Sequence, residues 1–390
     1  MYDAVVVGGG MIGSAVALGL AKQGQSVAVV ENNLPSAFEQ NQPPDIRLSA
    51  LSLHTVQLLD ALGAWQHIEL MRSQPYTELA VWESASSDAN KTVFNAASIG
   101  VENLGHFVEN RLTQLALHRE IRTFDNVTWY SDAKIAAINI NTTADTSPNQ
   151  VIFDDATNIS GRWLIGADGG QSRVRSAANI GQTGWQYKQH ALAIVVKLEQ
   201  PSGSQTWQQF KPTGPVALLP MYDNYAALIW YHEAPKVKQL AGLSDISLKS
   251  AIINHFPPIH SDFKIITRAS FPLARAHANQ YVSCNTVLVG DAAHTINPLA
   301  GQGVNIGFKD VEALLTVFEK NQKPNTLDMQ QGYEKNRKLQ NLIMMTAMDA
   351  FYVTFSNDIK PLKWFRNTAL RLADNAGSAK QRALKFALGL

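Results

Sequence analysis

The chain has 390 residues, 45% of them apolar and 17% charged, and its 33 Lys plus Arg against 32 Asp plus Glu leave a formal charge of +1. That composition excludes intrinsic disorder and fibrous repeats, and a near-neutral chain has no overall field to gather nucleic acid. The length allows two or three domains of ordinary size, with apolar residues enough for a core without disulfides or metal.

Tyr2 to Val7 is a short β-branched and apolar run without helical period, the pattern of a strand buried on both faces. It runs into Gly8-Gly9-Gly10-Met11-Ile12-Gly13. Ser14 to Gln23 then spaces Ala15, Ala17, Leu18 and Leu20 for a helix ending near Gly24, and Ser26 to Val30 is a second strand closing on Glu31. Strand, glycine turn, helix and strand with an acid about twenty positions on is a dinucleotide fingerprint in full context. Gly8 suits the tight turn, Gly10 a close approach to pyrophosphate and Gly13 close packing of helix on strand, while the helix start attracts phosphate. Glu31 suits an unphosphorylated ribose, as in FAD or NAD. The uncharged stretch Ala4 to Ala21 lacks the basic head and smooth apolar run of a secretory signal, and no other run is long enough to span a bilayer. With a single cysteine, Cys284, expected as a small buried apolar side chain, the chain reads as cytoplasmic.

Further on, the short apolar run Trp163 to Ile165 leads into Gly166-Ala167-Asp168-Gly169-Gly170-Gln171-Ser172-Arg173-Val174-Arg175, a glycine turn carrying an acid and two arginines. Between Gln182 and Arg275 the pattern becomes short alternating strands, at Ala191 to Leu198, Thr206 to Lys211, Pro215 to Leu219, Tyr225 to Tyr231 and Lys264 to Phe271. This predicts an inserted antiparallel sheet. Its face of Trp207, Phe210, Leu219, Pro220, Met221, Tyr222, Trp230 and Tyr231 reads either as ordinary sheet core or as the wall of a pocket for an aromatic ring with a greasy tail. Thr286 to Val289 is a strand ending on Gly290-Asp291, and a helix is predicted from about Gly303 to Lys320 behind Pro298, Gly301 and Gly303. The ten histidines show no metal-ligand spacing, so no metal is expected. From Asn325 the chain reads as helical. Lys360 to Leu390 carries seven Lys or Arg against one acid, Asp374, with an apolar stripe of Leu362, Phe365, Ala369 and Leu372 beside Lys363, Arg366 and Arg371. Such a stripe is either a solvated helix packed on the domain or a surface for a membrane or partner.

The glycine turn, Asp168-Gly169 and Gly290-Asp291, in this order, resemble the single-component FAD-dependent aromatic-ring hydroxylases. Arg47-Leu48-Ser49-Ala50-Leu51-Ser52, Val108-Glu109-Asn110-Arg111 and Gly290 through Asn305 are similar to their ubiquinone-biosynthesis branch, as are Trp207-Gln208-Gln209-Phe210, Phe355-Ser356-Asn357 and the ending Ala383 to Leu390. The resemblance spans essentially the whole chain. It implies an α/β fold, with a Rossmann-like FAD-binding domain of the para-hydroxybenzoate-hydroxylase kind, an inserted antiparallel substrate sheet and a helical C-terminus. The expected partition is 1–75, 98–181 and 272–325 for the FAD domain, 76–97 and 182–271 for the substrate domain, and 326–390 for the helical region.

By the same resemblance, Gly8, Gly10 and Gly13 receive the cofactor, Glu31 binds its adenosine ribose, and Arg47 and Arg111 lie along pyrophosphate and ribose. The open alternative for both arginines is a surface ion pair. Asp168 and Gly169 sit near the pyrophosphate and the approach of the nicotinamide donor. Asp291 bonds the ribityl chain, and Pro298, Gly301, Gly303, Val304 and Asn305 cradle the isoalloxazine, with Pro298 shaping its C4a face. Trp207, Leu219, Pro220, Tyr222 and Trp230 are the substrate-side candidates, and His294 reads as structural or as a proton carrier. The implied cofactor is FAD, with NADPH or NADH as a transient donor, since only one dinucleotide fingerprint exists. The implied reaction hydroxylates a lipophilic prenylated quinol with O2, by way of a flavin C4a-hydroperoxide. A quinone-biosynthesis complex and a peripheral membrane contact through the basic tail are the implied partners. A neighbouring hydroxylation, an FAD reductase of the same fold, and a flavin-stabilised scaffold are the competing readings.

Overall fold

The computed structural model describes residues 1–83, 91–141, 148–296 and 303–355. Its first sheet grows outward from Tyr2–Val7, which pairs in parallel with Asn158–Gly166 on one side and Val27–Val30 on the other. Thr286–Leu288 joins in parallel beyond Asn158–Gly166, and Val127–Tyr130 beyond Val27–Val30. Ala4 to Val7 and Val27 to Val30 are buried throughout, as parallel strands covered on both faces must be. The register decides where function can sit. Val7 lies beside both Gly166 and Val30, and Gly166 beside Leu288. The residues that follow these strands, Gly8, Glu31, Asp168 and Gly290-Asp291, therefore emerge at one carboxyl edge of the sheet, where open α/β sheets bind ligands.

Helix Met11–Lys22 covers this sheet together with Gly303–Lys320. The two helices approach closely because Gly19 has no side chain; a Cβ there would lie 2.2 Å from Leu315 Cδ1.

The second sheet runs, in spatial order, His294–Thr295, Phe263–Ala278, Gln182–Leu198, Tyr225–Glu233, Val216–Pro220, Gln205–Phe210, Glu78–Glu83 and Thr92–Asn95. It is antiparallel except where Gln205–Phe210 pairs in parallel with Glu78–Glu83. Two of its strands extend well beyond their alternating parts, because residues 182–187 are largely solvent-exposed and carry no apolar period. One face, with Leu192, Ile194, Trp207, Leu218, Leu228 and Trp230, is roofed by helices Ala234–Ala241 and Asp245–His255, which supply Val237, Leu240, Leu248 and Ile252. The opposite face turns Val195, Met221 and Ala227 toward Ile46, Leu48 and Leu219. A third sheet joins Leu48–Ser52, Gly105–Glu109 and Gln74–Tyr76.

Cys284 is not the buried apolar side chain expected. It is only half-buried, and with Asn285 it forms the two-residue turn of the hairpin Val282–Ser283/Thr286–Leu288, both residues left-handed at φ 47° and 56°. That geometry is the one a tight hairpin's twist demands.

After Asn325 the chain is helical, as Thr326–Met329, a π-helical segment Gln330–Glu334 and Lys335–Phe355. Pro298, Gly301 and the basic stripe of 360–390 lie outside the described residues.

Candidate functional site

The glycine turn is tight at Gly8, Gly9 and Gly13 and open at Gly10. A Cβ on Gly8, whose φ is +104°, would meet the Ala167 carbonyl oxygen at 2.4 Å, and one on Gly13 would meet the Gly8 oxygen at 1.8 Å. At Gly10 it would meet nothing within 4 Å. Gly10 begins helix Met11–Lys22 with no side chain capping it and no acid in the first turn. The first N–H groups of this helix thus have no side-chain partner, which leaves the helix start free to receive an anion.

Glu31 accepts the N–H of Gly9 and of Asn33, each at 2.8 Å, so it holds the turn as well as the loop after it. A carboxylate has about four acceptor positions, which leaves capacity for ribose hydroxyls. The Gly9 carbonyl is fixed by three donors, Ser14 Oγ at 2.9 Å, Gln114 Nε2 at 2.8 Å and His118 Nε2 at 2.7 Å. Burial lowers the His118 pKa, although its bond to Gly9 acts in the opposite direction. Gln114 and His118 come from helix Asn110–Ile121, too far along the chain for any local pattern to reveal them.

The Gly290-Asp291 turn packs beneath this helix start. Gly290, at φ +58°, and Gly307 both lie against Ile12, where an added Cβ would come within 3.3 Å and 2.8 Å. Asp291 is exposed, yet burial is the main influence on its carboxyl and pushes its pKa up, opposed by His294 and Arg47. An exposed group that is nevertheless crowded by protein lines a cleft. Arg47 is itself exposed and acts on Asp291 from across it.

Arg111 is held in an ion pair. Its Nε pairs with Asp45 at 2.7 Å and its Nη1 donates to the carbonyls of Ser36 and Ala37, so it ties down the segment between Glu31 and Arg47. Asp168 accepts from Ser172 Oγ at 2.5 Å and from the N–H of Arg173 and Val174 at 2.6 and 3.2 Å. Its carboxylate thus closes the local turn, and its backbone lies beside Gly8. Arg175 links the two acid-bearing turns by donating to the carbonyls of Gly170 and Ala292.

Asn305 is buried and stitches the start of helix Gly303–Lys320 to the third sheet. Its Oδ1 accepts from Ser52 N–H at 2.9 Å and Thr55 Oγ1 at 2.8 Å, and its Nδ2 donates to the Ala50 carbonyl at 2.8 Å. Gly303 and Val304 precede it, half-buried at the helix start.

The substrate-side residues separate by face. Trp207 and Trp230 are sheet core under the two helices, where Trp230 stacks on His255 with centroids 4.5 Å apart. The strand alternation that puts aromatics on one face also put both tryptophans away from the cleft. Pro220 is buried as the last residue of its strand. Leu219 and Tyr222 belong to the other side. Tyr222 lies over the Arg72 guanidinium at 4.1 Å, and burial pushes its phenol up to about 12, so it stays protonated.

His294 is buried in a polar hub. Its Nε2 meets Asp310 at 2.5 Å, and Asp310 also accepts from Arg337 Nε at 2.8 Å, Gly290 N–H at 3.1 Å and Asn341 Nδ2 at 3.2 Å. Burial alone would raise the Asp310 pKa; His294 and Arg337 outweigh it and hold the carboxyl below its usual range. This buried hub carries no sequence signature. Among the described residues no cluster of three or more His, Cys, Asp or Glu could hold a metal.

An FAD binding domain family signature matches residues 1–338. The chain belongs to that family. Within reach of the family lies a 3-demethoxyubiquinol 3-hydroxylase of Escherichia coli (strain K12), 40% identical over 392 residues covering 100% of this chain and 98% of that one. The mitochondrial ubiquinone biosynthesis monooxygenase COQ6 of Rattus norvegicus is 29% identical over 436 residues, 99% of this chain and 91% of its own. The crystal structure of p-nitrophenol 4-monooxygenase PnpA from Pseudomonas putida DLL-E4 superposes with a TM-score of 0.80 at 17% identity, over 100% of this chain and 98% of that chain, and shows the shared fold. FAD is the family's cofactor, and the residues fit it: a glycine turn open at Gly10, an uncapped helix start and an acid at the second strand's end.

Proposed function

We propose that the protein is an FAD-dependent monooxygenase that hydroxylates the ring of a polyprenylated benzoquinol in ubiquinone biosynthesis, using NADPH or NADH and O2. The observation that carries this reading is full-length similarity to the E. coli 3-demethoxyubiquinol 3-hydroxylase, at 40% identity. The convergence of four strand ends and two helix starts on one cleft supports it.

FAD, when bound, would supply the redox chemistry: hydride acceptance from the nicotinamide donor and transfer of one oxygen atom of O2 to the ring. The chain binds, orients and excludes water. The helix start after Gly10 takes the pyrophosphate charge and Glu31 the ribose hydroxyls. Asp291, exposed at the carboxyl edge of the first sheet and influenced by Arg47, would bond the ribityl chain. Leu219 and Tyr222 offer the ring an apolar wall on the second sheet's cleft side. With Asp310 claiming His294, and Arg337 in turn claiming Asp310, no acid–base dyad stands in the cleft among the described residues, which suits a reaction whose difficult steps belong to the cofactor.

A prenylated quinol partitions into the bilayer, and among the described residues no helix is long and apolar enough to cross a membrane. The substrate is then lifted from the membrane surface or handed over by a partner of a quinone-biosynthesis complex, with the basic stripe of 360–390 as the contact and the inner face of the membrane as the place. Purified protein should release FAD on denaturation, and a short-tailed demethoxyubiquinol should stimulate NAD(P)H oxidation while gaining one oxygen atom by mass spectrometry. Protein that neither carries nor rebinds flavin overturns the reading. Flavin with quinol-independent turnover and no oxygenated product makes the chain a reductase or a scaffold.

A further inference from the structure

Arg72, at the end of helix Trp65–Met71, belongs to none of the motifs above. Its guanidinium forms a two-pronged pair with Glu109, Nε at 2.7 Å and Nη2 at 2.9 Å. Its Nη1 also donates to the Gln42 carbonyl at 3.0 Å, and its Nη2 to that of Pro43 at 3.4 Å. The rings of Tyr222 and Phe38 lie 4.1 Å and 5.2 Å from its central carbon. Glu109 accepts a further bond, from Asp45 N–H at 2.6 Å. Both side chains are buried, at 7% and 2% exposure.

Three separate parts of the molecule meet on this one side chain. Glu109 ends a strand of the third sheet, while Phe38, Gln42, Pro43 and Asp45 belong to the irregular segment that joins Glu31 to Arg47. Tyr222 belongs to the turn after Val216–Pro220 in the second sheet. The irregular segment delivers Arg47 to the cleft opposite Asp291, and Ile46 packs on the Met221 side of that same turn. A buried ion pair adds little net stability over an apolar packing of the same volume, but it accepts only one geometry. The planar fork of arginine satisfies a carboxylate and two carbonyls at once, which lysine cannot do.

We propose that Arg72 is a positioning residue for the reaction: its guanidinium locks the 32–46 segment and the Tyr222 turn to the cofactor-binding half, and so sets the distance between the substrate wall and the flavin cleft. This rests on the reading of the protein as a quinol hydroxylase. When the lock is loosened, the ring is held less firmly while reduction continues. NAD(P)H, O2 and a proton then give NAD(P)+ and hydrogen peroxide, and no oxygen atom reaches the quinol.

Arg72→Lys in the full-length, FAD-loaded protein tests this, with a short-tailed demethoxyubiquinol as probe. We expect hydrogen exchange in residues 32–46 to rise about tenfold. The peroxide formed per NAD(P)H oxidised should rise roughly two- to fivefold, the effect of a small misplacement of reacting atoms. FAD content and the global unfolding transition should stay close to those of the unaltered protein. Unchanged exchange and unchanged peroxide yield would overturn the proposal; so would lower stability with an unchanged division between peroxide and product, since a purely structural side chain would do that. If the lysine variant does not fold, Phe38→Ala leaves the ion pair intact and removes one ring. It should shift exchange and peroxide yield in the same direction by less, and no shift in either sinks the idea. Failure of the functional reading would appear in the unaltered protein, as absent flavin or absent quinol stimulation. The lock would then still be decided by exchange in 32–46.

Discussion

Asp310 shows how much a single buried carboxylate can organise. It holds His294, Arg337, Asn341 and the N–H of Gly290, and so connects the Asp291 turn to helix Lys335–Phe355. Removing its charge leaves the Arg337 guanidinium buried and unpaired, so Asp310→Asn should cost roughly 3 to 5 kcal/mol, read by denaturant unfolding. Next to it, His277 Nε2 lies 3.1 Å from the Tyr281 hydroxyl, which also accepts from Asn341. Burial first, then the charges of His294, Lys338 and Arg275, lower the His277 pKa from 6.5 to about 4. A depressed histidine is neutral in the folded chain while the unfolded chain takes up a proton, so stability falls as the pH drops from about 6.5 toward 4. His277→Gln should flatten that part of the stability profile by about 1 to 2 kcal/mol, after allowance for solvent screening. Thermal or denaturant unfolding at pH 7 and pH 4.5 would measure it, and an unchanged slope would assign the acid sensitivity to other groups. The Asp310 contribution persists to lower pH, because a depressed carboxylate loses its share only as the pH falls through its folded value.

At the scale of elements, the strand–turn–helix unit separates glycines that build the turn from one that faces the cleft. Gly13→Ala forces a Cβ into the Gly8 carbonyl at 1.8 Å and should destabilise the protein even without cofactor. Gly10→Ala meets open space and an extended backbone, φ −69° and ψ −172°, that any L residue can adopt, so it should leave the flavin-free melting temperature nearly unchanged and weaken FAD binding. Melting curves with and without FAD would distinguish the two, and equal loss in both states for Gly10→Ala would remove it from the cradle. The second sheet makes the complementary point. Trp207 lies 6% exposed between Trp82 and Phe256, so Trp207→Ala should cost roughly 3 to 5 kcal/mol of stability as a core truncation, with the folded fraction keeping its KM for quinol. A raised KM at unchanged stability would return Trp207 to the substrate wall.

For the molecule as a whole, the cleft draws on residues from Gly8 to Asn305, so a ligand bound there stabilises nearly the entire chain. FAD at a hundred times its dissociation constant should add about 2.7 kcal/mol to the stability and raise one cooperative melting transition, not a partial one. Calorimetry with increasing FAD would show it. The sequence by itself determined the elements whose information is contiguous. The first strand, its glycine turn and Glu31 lie within some thirty residues, and the glycines there must bend or pack closely whatever the rest of the chain does. Gly290-Asp291 and the helix from Gly303 were legible for the same reason, as were most alternating strands of the second sheet. Alternation reveals that a strand has two faces, but only the docking of helices Ala234–Ala241 and Asp245–His255 decides which one is covered, and this turned Trp207 and Trp230 away from the cleft. Arg72, Asp310 and Arg337 carry no local signature in the sequence, and Glu109 stands out there only within the Val108-Glu109-Asn110-Arg111 motif. Arg72 stands 37 positions from Glu109 and Asp310 27 from Arg337, and only folding brings each pair together. Burial then makes each charge depend on the geometry of its neighbours, a property that belongs to the packed chain and to no local pattern.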